Sequence, residues 1–241
     1  MPENIWLVPG DGNLELVAPA IRYYADAQMP EKAWLNTQKW IKSLIEKYAG
    51  SAEWTVFIDT NPSFAIYTEL AIVAGTHLIV PFKADDSSRV ATKALFDLIH
   101  RPDKPHPVYS QYTFAQRAKE ADLQLPSCHL FIGNQFKQHE GTAKAFASMS
   151  NAVHKSLYEG YCKEPNRYTN HGKINNQEEF EKMFTYELRD FNSAGVVAAH
   201  RGTLLSSLKQ ITYEVHGDKV PLVKKRIEEC SKSIDEIIYK L

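Results

Sequence analysis

The feature that most constrains this chain is a set of short runs that stay apolar on consecutive positions. Trp54-Thr-Val-Phe-Ile58, His77-Leu-Ile-Val80 and Cys128-His-Leu-Phe-Ile132 each read as a strand covered on both faces. A strand with one wet face would instead alternate polar and apolar side chains. Ile5-Trp-Leu-Val8 is a shorter run of the same kind, broken by Pro9-Gly-Asp-Gly12. Helical patterns lie between these runs. Residues 31–48 place Trp34, Ile41, Leu44, Ile45 and Tyr48 along one face, with Gly50 as the stop. A second helix is expected near Tyr67–Val73. Asp85-Asp-Ser-Ser88 offers capping oxygens to a third, which carries Val90, Ala94, Leu95, Leu98 and Ile99. Apolar strands alternating with amphipathic helices predict an α/β fold, a doubly wound and mostly parallel sheet flanked by helices.

From Thr142 onward the pattern is mainly helical, with a polar stretch at 166–179. Val220, Val223, Ile227, Cys230, Ile234, Ile237, Ile238 and Leu241 recur at three- and four-residue steps and predict a last helix. With no repeat and no linker signal, 1–241 reads as a single domain whose residues 142–241 form a helical carboxyl-terminal part.

Charge limits the choice of partners. Lys plus Arg number 28 against 29 for Asp plus Glu, so the net charge is −1 and any DNA contact needs a local basic patch. Lys224-Lys225-Arg226, with Arg201, Lys209 and Lys219, is the best candidate. A solvated helix face is the better explanation of the run on sequence alone, because Glu228, Glu229, Asp235 and Glu236 follow. Cys128, Cys162 and Cys230 form no CxxC pair, a usage that suits a reducing cytoplasm. The histidines show no HExxH, and Ser87-Ser88 and Ser206-Ser207 lie in no GxSxG. No apolar run approaches the roughly 18–20 residues that span a bilayer, and Met1-Pro-Glu-Asn lacks the basic start of an export signal. A cytoplasmic location without membrane attachment is expected.

Phe57-Ile58-Asp59-Thr60-Asn61-Pro62-Ser63 is the most informative stretch. An Asp at the carboxyl end of a buried parallel strand stands where open α/β sheets bind ligands. It can equally cap the turn before the next helix. This stretch resembles the ParA family of partition ATPases, whose metal-binding strand runs into Asp-Thr-Pro-Pro-Ser; here Asn61 replaces the first Pro. Trp6-Leu-Val-Pro-Gly10, Ala71-Ile-Val-Ala-Gly-Thr-His-Leu-Ile-Val-Pro81 and Glu187–Gly202 are similar to further family segments, so the resemblance runs from Ile5 to Leu241.

The resemblance implies a P-loop NTPase-like sheet, ATP and Mg²⁺ as ligands, and Asp59 as the catalytic, magnesium-facing carboxylate. It implies Asn134 as a reader of the adenine edge, although a turn residue after Gly133 is the better description. The partners it implies are a second subunit, nonspecific DNA on the basic residues named above, and a centromere-bound ParB-type protein. The family's Lys-Gly-Gly-x-Gly-Lys-Thr loop has no counterpart here. Gly10-Asp-Gly12 lacks the Lys, and Gly172-Lys173 is followed by Ile174. Since that loop supplies the backbone donors that surround phosphate, the sheet is expected to be incomplete at the amino end and nucleotide binding to be impaired. A non-catalytic remnant acting only through dimer or partner contacts is the alternative. A relative of the MinD type would want a basic amphipathic membrane helix, and a nitrogenase-type reductase would want cluster-binding cysteines; neither pattern is present.

Overall fold

The computed structural model describes residues 4–27, 32–60, 64–100, 113–136, 143–169 and 172–241. In chain order the helices are α1 (Leu14–Ala25), α2 (Ala33–Gln38), α3 (Trp40–Ala49), α4 (Ile66–Ala74), α5 (Asp86–His100), α6 (Phe114–Glu120), α7 (Ala143–Lys163), α8 (Gln177–Phe184), α9 (Asn192–Arg201) and α10 (Lys224–Ile238). The strands are β1 (His77–Phe82), β2 (Ser127–Phe136), β3 (Thr185–Arg189), β4 (Thr212–Val215) and β5 (Asp218–Pro221). Two compact units result, Met1–Thr76 with Asp97–Pro126, and His77–Phe96 with Ser127–Leu241.

In the first unit, α1, α2 and α4 are held by one buried carboxylate. Glu69 accepts two hydrogen bonds from the Arg22 guanidinium, at 3.2 and 2.7 Å, and a third from Gln38 Nε2 at 2.9 Å. Ile21, Ile66 and Leu70 pack beside it. Trp34 meets Phe114 edge-on and carries the Arg117 guanidinium on its face, 4.8 Å from the ring centre. The helix expected over residues 31–48 is two helices, α2 and α3, separated at Lys39.

The largest departure from the sequence reading lies in this unit. Ile5–Val8 and Trp54–Ile58, which read as buried strands, run without assigned secondary structure and are largely exposed. A strand exists only where a neighbour completes its ladder, and among the described residues every strand belongs to the other unit.

The second unit holds a three-stranded parallel sheet in the order β1-β2-β3. β1 and β2 occur where their apolar runs predict them. β1 continues through Pro81 to Phe82; its edge position tolerates a residue without an N–H. Phe131, Val153, Leu157, Tyr161, Tyr168, Phe180 and Phe184 form an aromatic-rich core with β1 and α7. A second core joins α9, the antiparallel β4–β5 hairpin and α10 through Val197, Tyr213, Val215, Leu222 and Ile227. The carboxyl-terminal part is therefore less helical than its pattern implies. Val220 belongs to β5 and not to the last helix. The fold class is mixed α/β, as the sequence predicts, with a small three-stranded parallel sheet and a two-stranded antiparallel one among the described residues. No helix among the described residues is long and apolar enough to cross a membrane.

Candidate functional site

Phe82, Gly133 and Glu187 stand side by side across β1, β2 and β3, near the carboxyl ends of the three parallel strands. This is the edge at which open α/β sheets bind ligands. After β1 the chain turns through Lys83 and Asp85 into α5. Asp85 Oδ1 accepts the Ser88 backbone N–H at 2.6 Å, while Ser88 Oγ accepts the Lys83 N–H at 3.0 Å. The first of these bonds occupies a donor left free at the helix start. The Ser88 backbone bond, ahead of the Ser88 side chain, holds the Asp85 carboxyl below its usual range.

His154 projects from α7 to the same edge, its ring meeting Phe82 edge-on at 5.6 Å. It is 7% exposed, and its Nε2 has no hydrogen-bond partner. Two carboxylates flank it. Glu181 of α8 lies 3.5 Å from Nδ1, and Glu187 of β3 lies 4.0 Å from Nε2. Ser150, one helical turn before His154, donates to Glu187 at 3.0 Å, and Gln177 donates to Glu181 at 2.6 Å. An imidazole between two oriented carboxylates can hold a proton and pass it to a bound group. Nothing in the sequence isolates this cluster: Ser150 and His154 share a helical face, but their carboxylate partners arrive from α8 and β3.

Asn134 follows Gly133 on β2 and is exposed at this edge. Asp59 is an exposed residue in a stretch of the first unit without assigned secondary structure, and Asn61–Ser63 lie outside the described residues. The basic candidates gather around the second core. Arg201 ends α9 with its guanidinium over the Tyr213 ring at 5.4 Å. Lys219 sits on β5 opposite Glu214. Lys224, Lys225 and Arg226 form the first turn of α10, with Lys224 paired to Glu228 at 3.5 Å. Lys209 and Lys224 line one groove of about 550 Å³ with Lys232, above Leu208 and Ile227.

The Gly10-Asp-Gly12 loop does not fit a nucleotide phosphate. A Cβ added at Gly10 or Gly12 would meet nothing within 4 Å, so that loop is no tight cradle. Among the described residues no group of three His, Cys, Asp or Glu is placed to hold a metal. Comparison with known proteins adds no relative: no family model, curated protein or solved structure matches the chain.

Proposed function

We propose that this chain is a ParA-like partition protein whose nucleotide binding is impaired and which contacts DNA through the amino-terminal end of α10. The observation that carries this reading is the placement of three cations, Lys224, Lys225 and Arg226, in a first turn that holds no acidic residue. Positive charge opposes the helix dipole there, at about 0.3–1 kcal/mol per charge. Such placement makes sense where an anionic partner repays it. Lys209 adds a further cation to the groove, which Glu228 and Asp235 also line. Backbone phosphates need only positive charge on one face and give binding without sequence preference. The parallel β1–β2–β3 sheet and the order of segments from Phe57 to Gly202 support the family assignment. ATP and Mg²⁺ enter only through that resemblance, and no catalytic step is assigned to Asp59.

The test is fluorescence anisotropy with an unrelated-sequence duplex. Binding that weakens steeply with salt, and weakens further in Lys225→Glu/Arg226→Glu, is the expected result. Equal affinity of that variant and the parent would refute the assignment of the surface.

A second reading, a non-catalytic remnant acting only through dimer or partner contacts, is favoured by the exposure of Asp59. It predicts no duplex binding at low salt and no stabilisation by millimolar Mg-ATP. A ligand at five times its Kd would stabilise by about 1 kcal/mol, a rise in Tm of roughly 2–4 °C for a chain of this size.

A further inference from the structure

Glu181 and Glu187 converge on one buried imidazole without a cation to balance them. They approach His154 from α8 and β3, their side chains 32 and 48% exposed, and among the described residues neither has a Lys or Arg at ion-pair distance. His154 itself is buried. Glu181 lies 3.5 Å from Nδ1 and favours the tautomer with the proton there, which leaves a lone pair on Nε2. That nitrogen has no hydrogen-bond partner and faces Glu187 Oε1 across 4.0 Å. The Ser150 hydroxyl already donates to the same oxygen at 3.0 Å, so its hydrogen is not offered to the ring. Two acceptors therefore face each other beside two negative charges, with no donor for the ring nitrogen among the described residues.

We propose that this cluster is a binding site for the ammonium group of a small primary amine. The 4.0 Å separation of Nε2 and Glu187 Oε1 decides the chemistry. Hydrogen bonds of about 2.9 Å from one nitrogen to both acceptors meet at roughly 90°, close to the spread of the N–H bonds on an ammonium group. Zinc bonds of about 2.1 Å to the same two atoms would open to roughly 150°, far from tetrahedral. Nor does a third His, Cys, Asp or Glu among the described residues complete a metal site. Water has hydrogens for the two acceptors but no charge for the carboxylates; a primary ammonium has both. Glu187 is the more exposed carboxylate, so the amine reaches the buried nitrogen past it. Glu181 is a positioning residue that fixes the tautomer. The cluster stands at the carboxyl ends of the parallel strands, where open α/β sheets bind ligands. It shares no residue with the duplex-binding surface, so it stands or falls separately from the partition reading.

Nitrogen-15 NMR of the histidine rings in the full chain, titrated with n-butylammonium chloride, tests it. The His154 Nε2 resonance, identified by its loss in His154→Gln, should move saturably with a Kd of about 1–10 mM. Tetramethylammonium carries the charge without a hydrogen and should leave the resonance in place at equal ionic strength. Glu187→Gln, at a half-exposed position, should weaken binding by about tenfold, the worth of one hydrogen bond to a charged group. Glu181→Gln should weaken it less and shift the ring toward the other tautomer in the same spectra, which a merely structural role would not do. No saturable change up to about 50 mM amine, an equal response to tetramethylammonium, or unchanged affinity in Glu187→Gln would overturn the proposal. If His154→Gln fails to fold, ring-to-backbone correlations identify the resonance and Glu187→Gln decides by the same comparison.

Discussion

At the residue scale the chain relies on a few polar groups with defined partners. Glu69 is 6% exposed and depends on Arg22 and Gln38 for its charge to be tolerated. Arg22→Met leaves that carboxylate without its cation and is expected to destabilise the fold by about 3 kcal/mol, read in urea denaturation. Glu69→Gln in the same background should recover part of the loss, because the uncompensated charge is gone. Asp85 is a smaller case. Asp85→Ala removes the α5 cap and should cost about 1 kcal/mol. Its folded-state carboxyl lies below the usual range, so the contribution is complete above the ordinary Asp pKa. It fades as pH falls through the lowered value. The difference in urea midpoint between parent and variant should therefore shrink only at acid pH. Asp85 was legible in the sequence because a cap and its helix are neighbours. His154 was not, since its meaning depends on Glu187, which a different element supplies.

At the element scale the sequence spoke clearly where periodicity and burial agree. β1, β2, α4, α5 and α10 stand where their apolar patterns put them, to within a few residues. β3 escaped because Thr-Tyr-Glu-Leu-Arg is short and half polar, and its place beside β2 comes from the sheet and not from its own pattern. The β4–β5 hairpin left a signal that the helical reading absorbed. Val215 and Asp218 are joined by His216-Gly217, both at positive φ, as a two-residue hairpin loop requires. Trp54–Ile58 fails in the opposite direction. Its composition is that of a central strand, but among the described residues nothing pairs with it. The first turn of α10 yields a prediction with two signs. Lys225→Glu should stabilise the helix by about 0.5 kcal/mol through the dipole and at the same time weaken duplex binding. Thermal melts and anisotropy on one preparation measure both.

At the scale of the whole molecule, the two units differ in how well they bury themselves. The second is closed around Phe131, Tyr168, Phe180 and Phe184, each 1% exposed or less. Phe180→Ala should cost about 3–5 kcal/mol and abolish cooperative unfolding of that unit. The first leaves Trp6, Val8 and Phe57 in water, and α3 buries none of its residues. The most direct test of the partition reading is duplex affinity at about 50 mM salt, with and without 5 mM Mg-ATP, for the parent and for Lys225→Glu/Arg226→Glu. The account predicts salt-sensitive binding in the parent, nearly the same with and without nucleotide, and at least tenfold weaker in the variant. No binding by the parent, or equal binding by the two proteins, would contradict it.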